Sequence, residues 1–195
     1  MKRLFVHSTA MLALSLTALV AQTPPDEAPQ GQPSKEEAEN SAKLANLDKM
    51  PGFEGIAFGA AFPAKDFELE QDRGALKIYR KTEEPVLMGP ALLGDVLFHV
   101  FEGKFYGVAF HTADGQDSMA LKGILVNAFG TGTDAADYGP STIWIGKERG
   151  ALFDLNTATG ESSAFIFDHK LHNACLAEQS KASQSAAQQL IQGKP

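Results

Sequence analysis

The sequence has 195 residues, 44% hydrophobic and 21% charged, with a formal net charge of −7 at pH 7. That acidic balance argues against a nucleic-acid or anionic-membrane partner, since both need a basic surface. Cys175 is the single cysteine, which excludes an internal disulfide framework and leaves the core to hold by burial alone.

The opening MKRLFVHSTAMLALSLTALVA sets Lys2 and Arg3 ahead of an apolar run from Met11 to Ala21 and carries no acid. This is the layout of a secretory signal peptide over residues 1–21. The run is too short to span a bilayer as a helix, and no later stretch replaces it. The expected product is an exported, soluble chain, periplasmic first and secreted second. Cleavage after Ala21 would remove Lys2 and Arg3 from the 17 basic residues, leaving 15 against 24 acids, a net −9.

Residues 22–49 are rich in Pro, Gln, Glu, Ala and Ser, a composition that cannot bury enough surface to offset its ordering entropy. It predicts a disordered linker, with at most a marginal helix at Lys35 to Leu47. The remaining residues, about 150, match one domain of common size, placed over residues 50–170 with a C-terminal helix or tail at 171–195.

Phe53 to Gly59 alternates Ile56 and Phe58 with small residues and predicts a strand that ends at Phe62-Pro63. Lys65 to Asp72 is charged and fits a loop or a short helix. Ala75 to Lys81 predicts a strand with Leu76, Ile78 and Arg80 on one face and Lys77 and Tyr79 on a wetter one. Pro85, Gly89-Pro90 and Gly94 punctuate the passage to the next strands.

The stretch from Val96 to Gly130 carries the strongest folding signal: strands VLFHVF and FYGVAFH, then a helix DSMALKGILVNAF that stops at Gly130. Asp117 is the expected cap, and Leu121, Ile124, Leu125 and Ala128 form the buried stripe. A three-residue loop, Phe101-Glu102-Gly103, is preferred over a two-residue Glu102-Gly103 turn. It places Val96, Phe98 and Val100 on one apolar face with Tyr106, Val108 and Phe110. The reverse face then carries Leu97, His99, Phe101, Phe105, Gly107, Ala109 and His111, so a helix or tail is expected over part of it.

A loop from Thr131 to Ser141, a strand Thr142 to Ile145 and a hairpin of Ala151–Leu155 with Ser163–Phe167 follow. Helical character begins at His169, with a thin stripe of Leu171, Ala174, Cys175, Ala182 and Leu190. The sum is an α+β class: an antiparallel sheet of about six or seven strands with one central helix and a C-terminal helix. Phe53-x-Gly55-Ile56-Ala57-Phe58 echoes Phe105-x-Gly107-Val108-Ala109-Phe110, but the flanks do not match and no third copy follows, so coincidence is the better reading.

The order of these signals resembles a group of small secreted bacterial proteins of unknown function. The likeness rests on Phe53-x-Gly55-Ile56-x-Phe58-Gly59, Tyr79-Arg80, the Gly103-Lys104-Phe105-Tyr106 hairpin, the helix closing on Gly130, and Trp144. It spans about residues 50 to 168. In that group one residue is expected between the Tyr and the Arg that are adjacent here, and it brings no established active residues.

No GxxxxGK[ST], GxSxG, HExxH or CxxC pattern is present, and Gly130-Thr131-Gly132 follows a helix where a dinucleotide fingerprint would precede one. The expectation is therefore a non-enzymatic binding or accessory domain that engages a protein or envelope component through a sheet face. Its anchors are drawn from Tyr79, Arg80, His99, Phe101, Phe105 and Trp144, with Tyr106 and Tyr138 alongside. Asp168-His169-x-x-His172-x-x-Cys175 carries the alternative: on a helix these three ligand types share a face and suit zinc or copper. Against it, Cys175 falls where the helical stripe needs a small apolar residue. Asp114 and Asp117 lack calcium-loop spacing and read as turn and capping groups; Asp134 and Asp137 read as solvated loop acids. A secreted enzyme inhibitor is the third reading.

Overall fold

The computed structural model describes residues 34–81, 86–135 and 140–193. The expected signal peptide, the expected linker up to residue 33, Pro85, Asp137 and Tyr138 lie outside the described residues. Among those described, the helices are α1 (Lys35–Lys49), α2 (Gly115–Phe129) and α3 (His169–Ile191). The strands are β1 (Gly52–Phe53), β2 (Ile56–Ala57), β3 (Glu68–Arg73), β4 (Leu76–Arg80), β5 (Val86–Met88), β6 (Ala91–Leu93), β7 (Asp95–Phe101) and β8 (Lys104–Thr112). After α2 come β9 (Thr133–Asp134), β10 (Ser141–Ile145), β11 (Arg149–Leu155) and β12 (Ser162–Asp168). Eight strands pair antiparallel in the order β3-β4-β7-β8-β12-β11-β10-β9, and β1-β2 and β5-β6 are separate ribbons. This is the expected α+β arrangement with a somewhat wider sheet. The charged stretch after Lys65 supplies the outermost strand β3, following a single 3-10 turn at Ala64–Asp66.

One sheet face is the main core. Val96, Phe98, Phe105, Val108 and Phe110 of the central strands, with Trp144, Phe153 and Ile166, pack against Leu47 of α1 and Leu121, Leu125 and Phe129 of α2. Asp114, not Asp117, caps α2, accepting hydrogen bonds from the backbone N–H groups of Gln116 and Asp117. Asp117 instead accepts from Leu92 N–H at 2.9 Å, tying β6 to the helix. Asp114 thus caps the start of α2, and Asp117, in its first turn, holds a neighbouring strand to it.

The central hairpin departs from the expected loop. Phe101 pairs with Lys104, leaving a two-residue turn in which Glu102 and Gly103 have φ of 49° and 76°. Two positive φ values match the twist of the flanking strands, which is why such turns favour hairpins. The register is then rescued further along. Val100 pairs with Phe105 and His99 with Gly107, so Tyr106 is an extra residue, a β-bulge. The bulge turns Tyr106 onto the reverse face and leaves Phe105 in the main core, the opposite of the expected assignment for both residues.

A second correction follows the same chemistry. The segment expected to run as one strand from Phe53 folds back at Glu54-Gly55 (φ 46° and 79°), pairing Phe53 with Ile56. Phe-Glu-Gly at 53–55 and at 101–103 makes the same tight turn twice. The longer echo of Phe53–Phe58 in Phe105–Phe110 has no structural counterpart, since the first is a ribbon and the second a bulged strand.

The second half of the expected linker holds the helix anticipated at Lys35 to Leu47, here α1, but docked on the domain instead of marginal. Ser34 and Glu37 form a reciprocal capping box at the start of α1. Leu47 is 0% exposed in the core. Asn40 accepts from Thr131 N–H at 2.7 Å and Asn46 donates to the Ala128 carbonyl at 3.2 Å. Asp48 accepts from the N–H groups of Lys147, Glu148 and Arg149 at 2.9, 2.8 and 3.1 Å. A helix poor in apolar residues is thus held by one buried leucine and a set of polar contacts to distant turns. Composition alone weighs only the apolar term, which is why it reads as a tether.

Candidate functional site

The pairing register lays the reverse face out in rows across the strands. One row runs Ile143, Leu152, Phe165, Ala109, Leu97, Arg80, and the next Ile145, Gly150, Phe167, Gly107, His99, Ile78. Tyr106 and Phe101 lie beyond, toward the hairpin turn. The glycines in the second row make room for flat aromatic rings. A Cβ at Gly107 would sit 2.6 Å from the Phe165 ring, and one at Gly150 would sit 2.5 Å from Phe167. Phe165 and Phe167 therefore lie against the sheet and stack at 5.2 Å.

The first half of α3 covers part of this aromatic surface. Asp168 caps the helix, accepting from Leu171 N–H at 2.9 Å, while its other oxygen holds Arg149 at 2.6 Å. Leu171 and Cys175 then pack with Tyr106, Phe101 and Leu76. His172 lies 4.3 Å from the Phe167 ring centre and 6.1 Å, roughly parallel, from that of Tyr106. His99 lies beneath, 4.8 Å from Phe165 and edge-on to Tyr106 at 5.9 Å. From Ser180 onward α3 is exposed on all sides and leaves the rows through Leu97, Leu152, Ile143 and Ile145 only partly covered.

All four histidines among the described residues, His99, His111, His169 and His172, thus belong to one face. His99, His169 and His172 pack on aromatic rings, and Nδ1 of His99 and of His172 and Nε2 of His169 are buried without a hydrogen-bond partner. Burial, reinforced by His111 and His172, pushes His99 down to about 3. Burial, with His169 adding to it, pushes His172 down to about 4. Burial likewise pushes the Cys175 thiol up against the opposing hydrogen bonds from Tyr106 and Gln179. The Tyr106 phenol, itself raised by burial, points at the Cys175 sulfur at 3.8 Å.

This geometry bears on the metal alternative. His169, His172 and Cys175 each contact aromatic rings or Tyr106, and among the described residues no three His, Cys, Asp or Glu side chains form a group able to hold a metal ion. A thiol kept protonated by burial is also a poor ligand.

The other singled-out residues are dispersed. Phe105 stacks on Phe58 at 5.1 Å in the main core, and Tyr79 packs on Phe62 at 4.9 Å on that same side. Trp144, 1% exposed, donates from Nε1 to the Gly130 carbonyl at 2.7 Å and so closes the end of α2. Arg80 sits on the reverse face in ion pairs with Glu70 and with Asp95, the latter at 3.2 Å. Phe101 is buried under α3. Of the six, His99 and Phe101 join the histidine and aromatic group. Tyr106, singled out alongside them, joins it through the bulge, whereas Phe165 and Phe167 were not singled out, because the pairing of β12 with β8 decides where they point.

Comparison with known protein families, with curated proteins and with solved structures yields no match for this chain. No helix among the described residues is long and apolar enough to cross a membrane.

Proposed function

We propose that the chain is an exported, non-enzymatic binding or accessory domain that engages a protein partner of the cell envelope through the reverse face of its sheet. The observation that carries this reading is the apolar row Ile143–Leu152–Phe165–Ala109–Leu97, which spans five paired strands and is left partly open by α3. Ile145, 65% exposed, flanks it. An antiparallel sheet ordinarily turns a polar face to water, so an apolar row there marks a surface with a use.

The test is capture from envelope extract with the exported protein and with Ile145→Asp, whose exposed position leaves the fold intact. The expected result is a saturable partner that the wild type recovers and the variant does not. Recovery of nothing above background, or equal recovery by both, would sink the reading.

A further inference from the structure

We propose that the first half of α3 is an acid-released cover: protonation of His172, with His99 beneath it, lifts the helix from the sheet and uncovers the Tyr106, Phe165 and Phe167 surface. The partner side of this idea rests on the reading of the reverse face as a binding surface, but the release itself needs no partner.

The geometry makes the docked helix intolerant of charge. His172 is wedged against Phe167 at 4.3 Å, Phe165 at 5.8 Å and Tyr106 at 6.1 Å, and its Nδ1 is buried with no acceptor. The titratable and charged groups around it offer no relief. From β7 comes His99 and from β8 come His111 and Tyr106; its own helix contributes His169 and a protonated Cys175. The carboxylate of Asp168 is committed to Arg149 and to the Leu171 N–H. Asp48 of α1, close enough to His169 to sense it, is committed to three backbone N–H groups. In the imidazolium both ring nitrogens carry a proton, and with Nδ1 of His172 and of His99 buried without an acceptor that N–H goes unpaired while α3 is docked. Once the helix lifts, the imidazolium is solvated.

The sign follows from linkage. The docked value of His172, about 4, lies below the usual histidine value of 6.5, so the docked state is fully favoured above 6.5 and loses ground as the pH falls toward 4. Between pH 7.5 and 5 this one histidine raises the undocked fraction ~30-fold, from tenfold per pH unit over the roughly 1.5 units below 6.5. His99, depressed further, adds to it wherever lifting the helix exposes its ring. The cover is held by the Asp168 cap and by His169, Leu171, His172 and Cys175, with α3 from Ser180 onward in solvent.

Cys175 is the reporter, because it is the single cysteine and 2% exposed beneath the helix. Its labelling by dithiodipyridine, a reagent that reacts in acid, is measured on the full chain from pH 7.5 to 5 and normalised to the urea-unfolded chain at each pH. Trp144 fluorescence follows the main core in parallel. The expected result is a rise of ~30-fold or more in relative labelling with Trp144 unchanged, largely lost in His172→Phe, which keeps the ring packing without a titrating nitrogen. His172→Gln serves the same purpose if the phenylalanine variant fails to fold. A flat profile, a rise that coincides with loss of the Trp144 signal, or an undiminished rise in the variants would each overturn the proposal. Because no partner is present, these outcomes are independent of the capture experiment.

Discussion

Replacing Asp48 by Ala should detach α1 from the domain. The carboxylate sits at the last turn of the helix and accepts three backbone N–H groups of the β10–β11 turn, at 2.8 to 3.1 Å. Burial alone would raise its pKa, but the donors outweigh it and hold the carboxyl below its usual 3.8. Hydrogen bonds to a charged group contribute ~1.5–3 kcal/mol each at most, and water can take over the exposed donors at Lys147 and Glu148, so the net loss is put at about 2–3 kcal/mol. For a domain of this size that lowers the melting temperature by about 5–10 °C. Since the folded-state pKa is depressed, the contribution is complete above 3.8 and is lost as the pH falls below it. Thermal melting at pH 7 measures the loss, and limited trypsin cleavage at Lys43 and Lys49 shows whether α1 is the part released. Gly146→Ala approaches the same contact from the other side, since its Cβ would lie 2.4 Å from the Asp48 carboxylate. An unchanged melt and an unchanged cleavage rate in Asp48→Ala would refute the account of how α1 is held.

Three further outcomes are expected. Glu102→Asn should stabilise the chain by ~0.5–1 kcal/mol, because Asn accepts the positive φ that Glu102 adopts at 49° with less strain; a urea midpoint that falls would count against the turn assignment. Thr112→Val should lower the urea midpoint by the equivalent of about 2–3 kcal/mol, since its hydroxyl joins Ser118 Oγ at 2.6 Å and Ser162 Oγ at 2.8 Å in a buried network, whereas Thr112→Ser should recover most of it. Gly150→Ala should displace the Phe167 ring and speed Cys175 labelling at neutral pH, a change that hydrogen exchange in α3 would register independently.

What could be read from the chain alone was local. Alternation from Val96 onward, the stripe of Leu121 and Leu125 and the glycine behind Phe129 are signals between neighbours in sequence, and they specify strands, helix and stop correctly. The last hairpin appears where its apolar runs place it, and α3 begins at His169. Pairing partners decided the rest. A bulge depends on what lies opposite, so no periodicity along β8 can show that Tyr106 turns to the reverse face while Phe105 stays in the main core. The two Phe-Glu-Gly turns were hidden for a related reason: Glu is an unusual residue at positive φ, and the twist of the paired strands imposes it. The docking of α1 depends on Asn40, Asn46 and Asp48 meeting turns 82 to 101 residues away, contacts that composition does not weigh. The candidate site follows the same division. His172 and Cys175 were visible as helical neighbours, but their meeting with His99, Tyr106 and the flat rings over Gly107 and Gly150 exists only because β7, β8, β12 and β11 lie side by side. That lateral order is long-range, and the tertiary fold alone sets it.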